Sequence, residues 1–163
     1  MSTPTKAQVL REEKLFILLF IISIFLSHIG IIGIEDSTIM PNYFIALIVS
    51  FILMSKANLN LYKILTIGLI VDVVVGQLIG QYGLIFMAIY LLDLITIKMI
   101  VIKNEKQIKG LSIFLILSSF IILWITSKNY DMFIPLKTLL LQAIFTFIAY
   151  LFFKVIINKY ISK

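Results

Sequence analysis

Long apolar runs separated by short polar linkers dominate this chain and constrain its fold more than any other feature. Hydrophobic residues fill 61% of the 163 positions, and charged residues fill only 13%. A soluble domain of this size could not remove so much apolar surface from water, so the excess must face lipid. A chain in lipid must satisfy its own backbone hydrogen bonds, and these runs are too long for barrel strands. They are therefore predicted to be helices.

At roughly 20 apolar residues per crossing, the chain divides into six spans. They cover approximately residues 15–34, 40–55, 64–79, 83–102, 111–127 and 133–158. The predicted fold class is all-α, a polytopic membrane bundle of six transmembrane helices that forms a single integral membrane domain over residues 1–163. The first run lacks a small-residue cleavage site, which indicates a retained span rather than a removed signal peptide.

Basic residues are distributed very unevenly between the two sides of this arrangement. Twelve of the 14 Lys and Arg residues fall in segments on the side of the amino terminus, and only Lys128 and Lys137 fall in the opposite loops. The positive-inside rule therefore places both termini in the cytoplasm. Because the lysines lie between apolar runs, where they set topology, the net charge of +6 does not indicate nucleic-acid binding.

The second and third spans are short, at about 16 residues or roughly 24 Å each. Helices of this length match the hydrocarbon core poorly unless other helices shield their ends. We expect the two spans to form the interior pair of the bundle. The short polar linker between them predicts that they are antiparallel neighbours.

An acid within the third apolar run is the first candidate for a specific role. Asp72 is followed at i+4 and i+8 by Gly76 and Gly80, which would lie on the same helical face. Asp93 in the next span is predicted to lie at a similar depth, so the two carboxyl groups could meet near the midplane. The alternative is that each acid is a hydrogen-bonded packing residue. The two glycines form a ridge of small residues that favours close packing of another helix around Asp72, and a small-molecule cavity beside Asp72 is the alternative there.

No set of residues typical of an enzyme is visible. The chain has no cysteine and only one histidine, His28. It shows no Ser-His-Asp set and no phosphate-binding glycine loop. We therefore expect a non-enzymatic protein without a metal or cofactor site, in which His28 is a hydrogen-bonded residue of the bundle.

The order of these motifs resembles a known family. Met40-Pro41-Asn42-Tyr43 opens a short apolar span, a polar linker follows, and then comes Gly68-Leu69-Ile70-Val71-Asp72 with Gly76 and Gly80 at four-residue intervals. Over residues 40–92 this pattern is similar to MreD, the rod shape-determining protein of the bacterial inner membrane. Length and the six-span layout extend the resemblance to the whole chain.

The resemblance implies a scaffold of the cell-elongation machinery that binds MreC. It also implies indirect action with MreB, RodA and a penicillin-binding transpeptidase in lateral peptidoglycan synthesis. A helical arrangement similar to the substrate-binding subunits of vitamin transporters is implied as well, so a small-solute binding or transport subunit with an intramembrane acidic site is the alternative. The structural or partner-binding candidates are Pro41, Asn42, Tyr43, Asp72, Gly76, Gly80, Gly83 and Asp93.

Overall fold

The computed structural model describes residues 6–28, 40–54, 60–75, 79–99, 104–129 and 134–161. These segments are helical, which confirms the all-α prediction for the described part of the chain. The helices are α1 (Lys6–His28), α2 (Tyr43–Met54), α3 (Leu61–Val75), α4 (Gln81–Met99), α5 (Glu105–Asn129) and α6 (Leu136–Ile161).

Three of these helices, α4, α5 and α6, are long and apolar enough to cross a membrane. The chain therefore has the character of a membrane protein. Helix α2 is apolar but shorter, with 12 residues. That all six predicted spans cross the bilayer stays a prediction.

The helices alternate in direction, so the ends of α1, α3 and α5 gather with the beginnings of α2, α4 and α6. Contacts across the described helices show this arrangement: Gln81 at the start of α4 bonds Thr126 near the end of α5. At the other end, Lys63 near the start of α3 pairs with Glu13 near the start of α1, at 2.9 Å. We call the end of the bundle with Gln81 and Thr126 the junction end, and the end with Lys63 and Glu13 the basic end.

The described basic side chains divide between the two ends as the sequence predicts. Nine lie at or toward the basic end, and Lys128 and Lys137 lie at the junction end. The nine are Lys6, Arg11, Lys14, Lys63, Lys98, Lys106, Lys109, Lys154 and Lys159. That the basic end is the cytoplasmic one, as the positive-inside rule predicts, stays a prediction.

Helix α2 forms the centre of the bundle. Every residue from Phe44 to Phe51 is buried, and α1, α4, α5 and α6 all pack around it. At about 18 Å, α2 is shorter than the roughly 30 Å hydrocarbon core. The neighbouring helices enclose its middle, and the interior position predicted for the second span is confirmed.

The interior position predicted for the third span is wrong. Helix α3 packs mainly against α4 and makes no comparable contact with α2. Its Leu69, Ile70 and Val73 side chains are exposed on the outside of the bundle. The reason is that four other helices already occupy the surface of α2, whereas α3 closely fits the start of α4.

Candidate functional site

Asp72 lies in the last turn of α3, where it caps the start of α4. Only 1% of this residue is exposed. Its Oδ1 accepts the backbone N–H of Tyr82 at 2.7 Å, and its Oδ2 accepts those of Gly80 and Gly83 at 2.9 and 3.3 Å. The first N–H groups of a helix have no partner within the helix, and the helix dipole favours a negative charge at this position. Asp72 therefore supplies from one helix the cap that the next helix needs.

Gly80 forms the turn that makes this cap possible. Its φ angle is 92°, in the left-handed region where residues with a Cβ are strained. This turn directs the N–H groups of Gly80, Tyr82 and Gly83 toward one carboxylate. The expectation that Gly80 continues the helical face of Asp72 is therefore wrong, because the chain turns at Ile79 and Gly80 before α4 begins.

Replacing Gly80 with alanine should destabilise the protein through backbone strain alone. Apart from its chain neighbours, no atom of the described residues lies within 4 Å of the position that a Cβ would occupy, so the expected loss comes from the backbone conformation. The left-handed conformation should cost roughly 1–2 kcal/mol, which corresponds to a Tm lower by about 2–8 °C for a chain of this size. Gly80→Asn should lose less, because asparagine tolerates this conformation better. Equal losses for both variants, measured by thermal melting in detergent, would contradict this account.

Two glycines let α3 and α4 touch backbone to backbone. A Cβ added to Gly68 on α3 would lie 2.5 Å from the Cα of Gly83 on α4 and 2.7 Å from its nitrogen. Since real Cβ atoms do not approach so closely, a side chain at position 68 would force the helices apart. This contact holds Asp72, one turn beyond Gly68, beside the N–H groups that it accepts.

Asn42 caps α2 and joins it to two other helices. Its Oδ1 accepts the N–H of Ile45 at 3.1 Å, which is the usual bond of an N-cap asparagine. Its Nδ2 donates to Tyr82 Oη on α4 at 2.7 Å, and its own N–H donates to Thr146 Oγ1 on α6 at 2.8 Å. The hydroxyl oxygen of Tyr82 thus accepts a hydrogen bond from Asn42, and its backbone N–H donates one to Asp72.

The Asn42 contacts predict a graded series of variants. Asn42→Ala removes both the helix cap, worth about 0.5–2 kcal/mol, and the bond to Tyr82, worth about 1 kcal/mol. Asn42→Ser keeps a capping oxygen but is too short to reach Tyr82, and Tyr82→Phe removes only the second bond. We expect Asn42→Ala to lower the free energy of unfolding by about 2 kcal/mol, and each of the other variants by about 1 kcal/mol. Denaturant titration followed by circular dichroism measures the series, and an Asn42→Ala loss no larger than that of Tyr82→Phe would contradict the capping role.

These contacts form one hydrogen-bonded cluster, which we call the polar junction. Gln81 extends it to α5, because its Nε2 donates to Thr126 Oγ1 at 2.7 Å. The cluster thus connects α2, α3, α4, α5 and α6. Its members are Asn42, Asp72, Gly80, Gln81, Tyr82, Gly83, Thr126 and Thr146.

A cavity of about 210 Å³ lies beside the polar junction. Its polar lining comes from Ser27, Asn42, Tyr82 and Gln142, and the rest is apolar or aromatic. Among the residues that the structure describes, none of those lining the cavity carries a formal charge. The lining residues are Ser27, Met40, Pro41, Asn42, Tyr43, Phe44, Val75, Tyr82, Leu123, Ile134 and Gln142.

The structure places most of the predicted site residues at this end of the bundle. Asn42, Asp72, Gly80 and Gly83 meet in the polar junction. Pro41 and Tyr43 line the adjacent cavity. The prediction for Gly76 lies outside the described residues.

Asp93 does not belong to this group. It lies 11 residues beyond Tyr82 on α4, which is about 16 Å along the helix axis, so the predicted meeting of Asp72 and Asp93 is wrong. Asp93 follows Phe86 and Ile89 on the buried face of α4, with 5% of the residue exposed. Within the described residues, its Oδ1 has no hydrogen-bond partner.

The site residues predicted from the sequence leave out five residues on which the polar junction depends, namely Gly68, Gln81, Tyr82, Thr126 and Thr146. Gly68 precedes Asp72 by one helical turn, a spacing that would have placed both on the face toward α4. Tyr82 directly follows the turn at Gly80, which is the signal that could have identified it. No sequence signal identifies Thr146, because its contact with Asn42 joins residues 104 positions apart.

The chemistry available at this end is hydrogen bonding. His28 lies at the end of α1, where its Nδ1 lies 2.8 Å from the carbonyl oxygen of Ile24, so the predicted hydrogen bond is present although the side chain is exposed. Ser27 also donates to that carbonyl oxygen, at 2.8 Å. Within the described segments, no three His, Asp or Glu side chains gather closely enough to hold a metal ion.

Comparison of the chain with protein-family models, with curated proteins and with solved structures finds no match.

Proposed function

We propose that this chain is a non-enzymatic scaffold of the bacterial cell-elongation machinery, similar to MreD, that binds MreC in the cytoplasmic membrane. The observation that carries the proposal is that residues on which the resemblance depends join several helices at one place. Asn42, Asp72 and Gly80 lie far apart in the sequence but are joined through Tyr82 in one polar junction. A scaffold needs such a fixed arrangement of helices more than it needs a reactive group.

The bonding of the polar junction also supports a structural role. The Asp72 carboxylate accepts three backbone N–H groups, and the Asn42 and Gln81 side chains bond groups on other helices. These hydrogen bonds therefore hold the helices in place relative to one another. The apolar faces of α1 and α3 leave Phe25 and Val73 exposed to lipid or to a partner helix.

Co-purification with MreC tests this proposal. The chain and an affinity-tagged MreC are produced together, extracted in mild detergent and captured through the tag. We expect the chain to be retained in roughly equal amount with MreC, and to be lost when the transmembrane helix of MreC is replaced by a polyleucine helix. Absence of the chain from the wild-type complex, with the chain itself shown to be folded by thermal melting, would overturn the proposal.

A small-solute binding subunit is the second candidate function, and the 210 Å³ cavity is the observation that favours it. The lining residues that the structure describes carry no formal charge, which favours a small neutral ligand that bonds Gln142 or Tyr82. Asp72 is a poor cation ligand in this arrangement, because its carboxylate already accepts three N–H groups. A panel of neutral solutes should raise the Tm of the wild type but not that of Gln142→Leu. If no solute shifts the wild type, this candidate fails.

A further inference from the structure

An apolar groove runs along the outside of the bundle between α5 and α6. Its volume is about 350 Å³. Ala143 lies buried in it, between the larger Leu140 and Phe147 along α6. The groove exists because this small side chain leaves the space between the two helices unfilled. Its lining residues are Ile113, Ile116, Leu117, Leu140, Ala143, Ile144 and Phe147.

The dimensions of the groove fit a hydrocarbon chain rather than a helix. From Leu140 to Phe147 the groove extends over seven residues, or about 10 Å along α6. A volume of about 350 Å³ over that length gives a width of roughly 6–7 Å, whereas a helix with side chains is about 10–12 Å wide. The groove therefore fits a segment of one acyl chain that lies along α6.

Lysines continue the same helical faces toward the basic end. Lys109 precedes Ile113 by one turn on α5, and Lys106 precedes Lys109 by three residues. On α6, Lys154 follows Phe147 by seven residues, or two turns. The backbone positions of these lysines thus lie about 6–10 Å beyond the groove along the helix axes. This spacing suits a phosphate at the membrane surface with its acyl chain inside the groove.

The positive charge at the basic end favours a lipid with an anionic headgroup. The positive-inside rule predicts that the basic end is the cytoplasmic one, and the cytoplasmic leaflet is rich in anionic lipids. At the junction end the groove meets fewer cations, and Lys128 lies over the Trp124 ring at 5.7 Å. The cations at the basic end are therefore the better partners for a phosphate.

We propose that the α5–α6 groove binds one acyl chain of an anionic phospholipid, whose phosphate is held by Lys106, Lys109 and Lys154. This site lies on the surface of the bundle and shares no residue with the polar junction. Its occupancy does not depend on MreC, so the lipid proposal and the scaffold proposal succeed or fail separately.

Native mass spectrometry of the intact chain, titrated with phosphatidylglycerol or with phosphatidylcholine, tests the lysine contribution. Each lysine near the surface is worth about a fivefold change in affinity, so Lys109→Gln with Lys154→Gln should raise the Kd of the first phosphatidylglycerol roughly 25-fold. The matched control, Lys128→Gln with Lys137→Gln, should change that Kd less than twofold. Equal weakening by both pairs, or equal affinity of the wild type for the two lipids, would overturn the proposal.

Filling the groove tests where the acyl chain lies. Ala143→Leu should remove the first phosphatidylglycerol adduct while the thermal melting transition remains cooperative. If Ala143→Leu does not fold, the exposed groove residue Ile144 offers a second variant, Ile144→Trp, which covers the groove from outside. A folded variant of either kind that keeps wild-type affinity would show that the chain does not bind in this groove.

Discussion

Replacing Asp72 with alanine is expected to lower the free energy of unfolding by about 3–5 kcal/mol. The substitution removes the acceptor of three backbone N–H groups at 2.7–3.3 Å, and each buried N–H left unpaired costs about 1–3 kcal/mol. It also removes the negative charge at the start of α4, which the helix dipole favours. Asp72→Asn keeps one acceptor oxygen, so we expect a loss of about 1–3 kcal/mol. Denaturant unfolding in micelles, followed by circular dichroism, gives both values.

Asp93 provides a matched control, because it is a second buried aspartate in the same bundle. Its Oδ1 has no hydrogen-bond partner among the described residues. Replacing a buried polar group that is poorly satisfied with an apolar one of similar size is often neutral or stabilising. Asp93→Leu should therefore change the free energy of unfolding by less than about 1 kcal/mol. Equal destabilisation by Asp72→Ala and Asp93→Leu would show that burial of an acid, rather than capping, determines the loss.

The sequence identifies Asp72 as distinctive but not what the residue does. The spacing of Asp72, Gly76 and Gly80 predicts a continuous helical face, because the residues between them are mostly apolar. The structure instead turns at Gly80, where a left-handed φ angle lets three N–H groups reach the carboxylate. Apolar periodicity cannot distinguish a helix that continues from one that ends in an apolar turn.

The approximate positions of the helices and of the charges were predictable because both depend on local sequence, although α1 and α5 begin nine and six residues before the predicted spans. The partners of each helix were not, as α2 and α3 show. Both are short and apolar, yet α2 lies at the centre of the bundle and α3 packs mainly on α4. The difference comes from long-range contacts, such as that of Asn42 with Thr146, and from the fit of Gly68 against Gly83. The contact of Asn42 with Thr146 has no periodic signature, and the one-turn spacing of Gly68 and Asp72 indicates a shared helical face without identifying the helix that packs on it.

Replacing Gly68 with alanine is expected to have an effect comparable to the loss of the Asp72 cap. The new Cβ would lie 2.5 Å from the Cα of Gly83, and backbone cannot move aside as a flexible side chain can. Overpacking in a rigid contact costs about 1–3 kcal/mol or more. Separation of α3 from α4 would also lengthen the hydrogen bonds of Asp72, one turn away. We expect a total loss of about 3–4 kcal/mol, measured by denaturant unfolding.

Gly83→Ala is the matched control, since it adds the same methyl group to the opposite side of the same contact. Its Cβ would meet the Leu69 side chain at 3.7 Å and Asp72 Oδ2 at 3.8 Å, which are ordinary contact distances. Alanine also favours a helix over glycine by about 1 kcal/mol, so Gly83→Ala should be neutral or slightly stabilising. A large asymmetry between the two variants follows only if the backbones of α3 and α4 touch at Gly68. Equal and small effects would show that the helices are farther apart, and that the Asp72 cap does not need this contact.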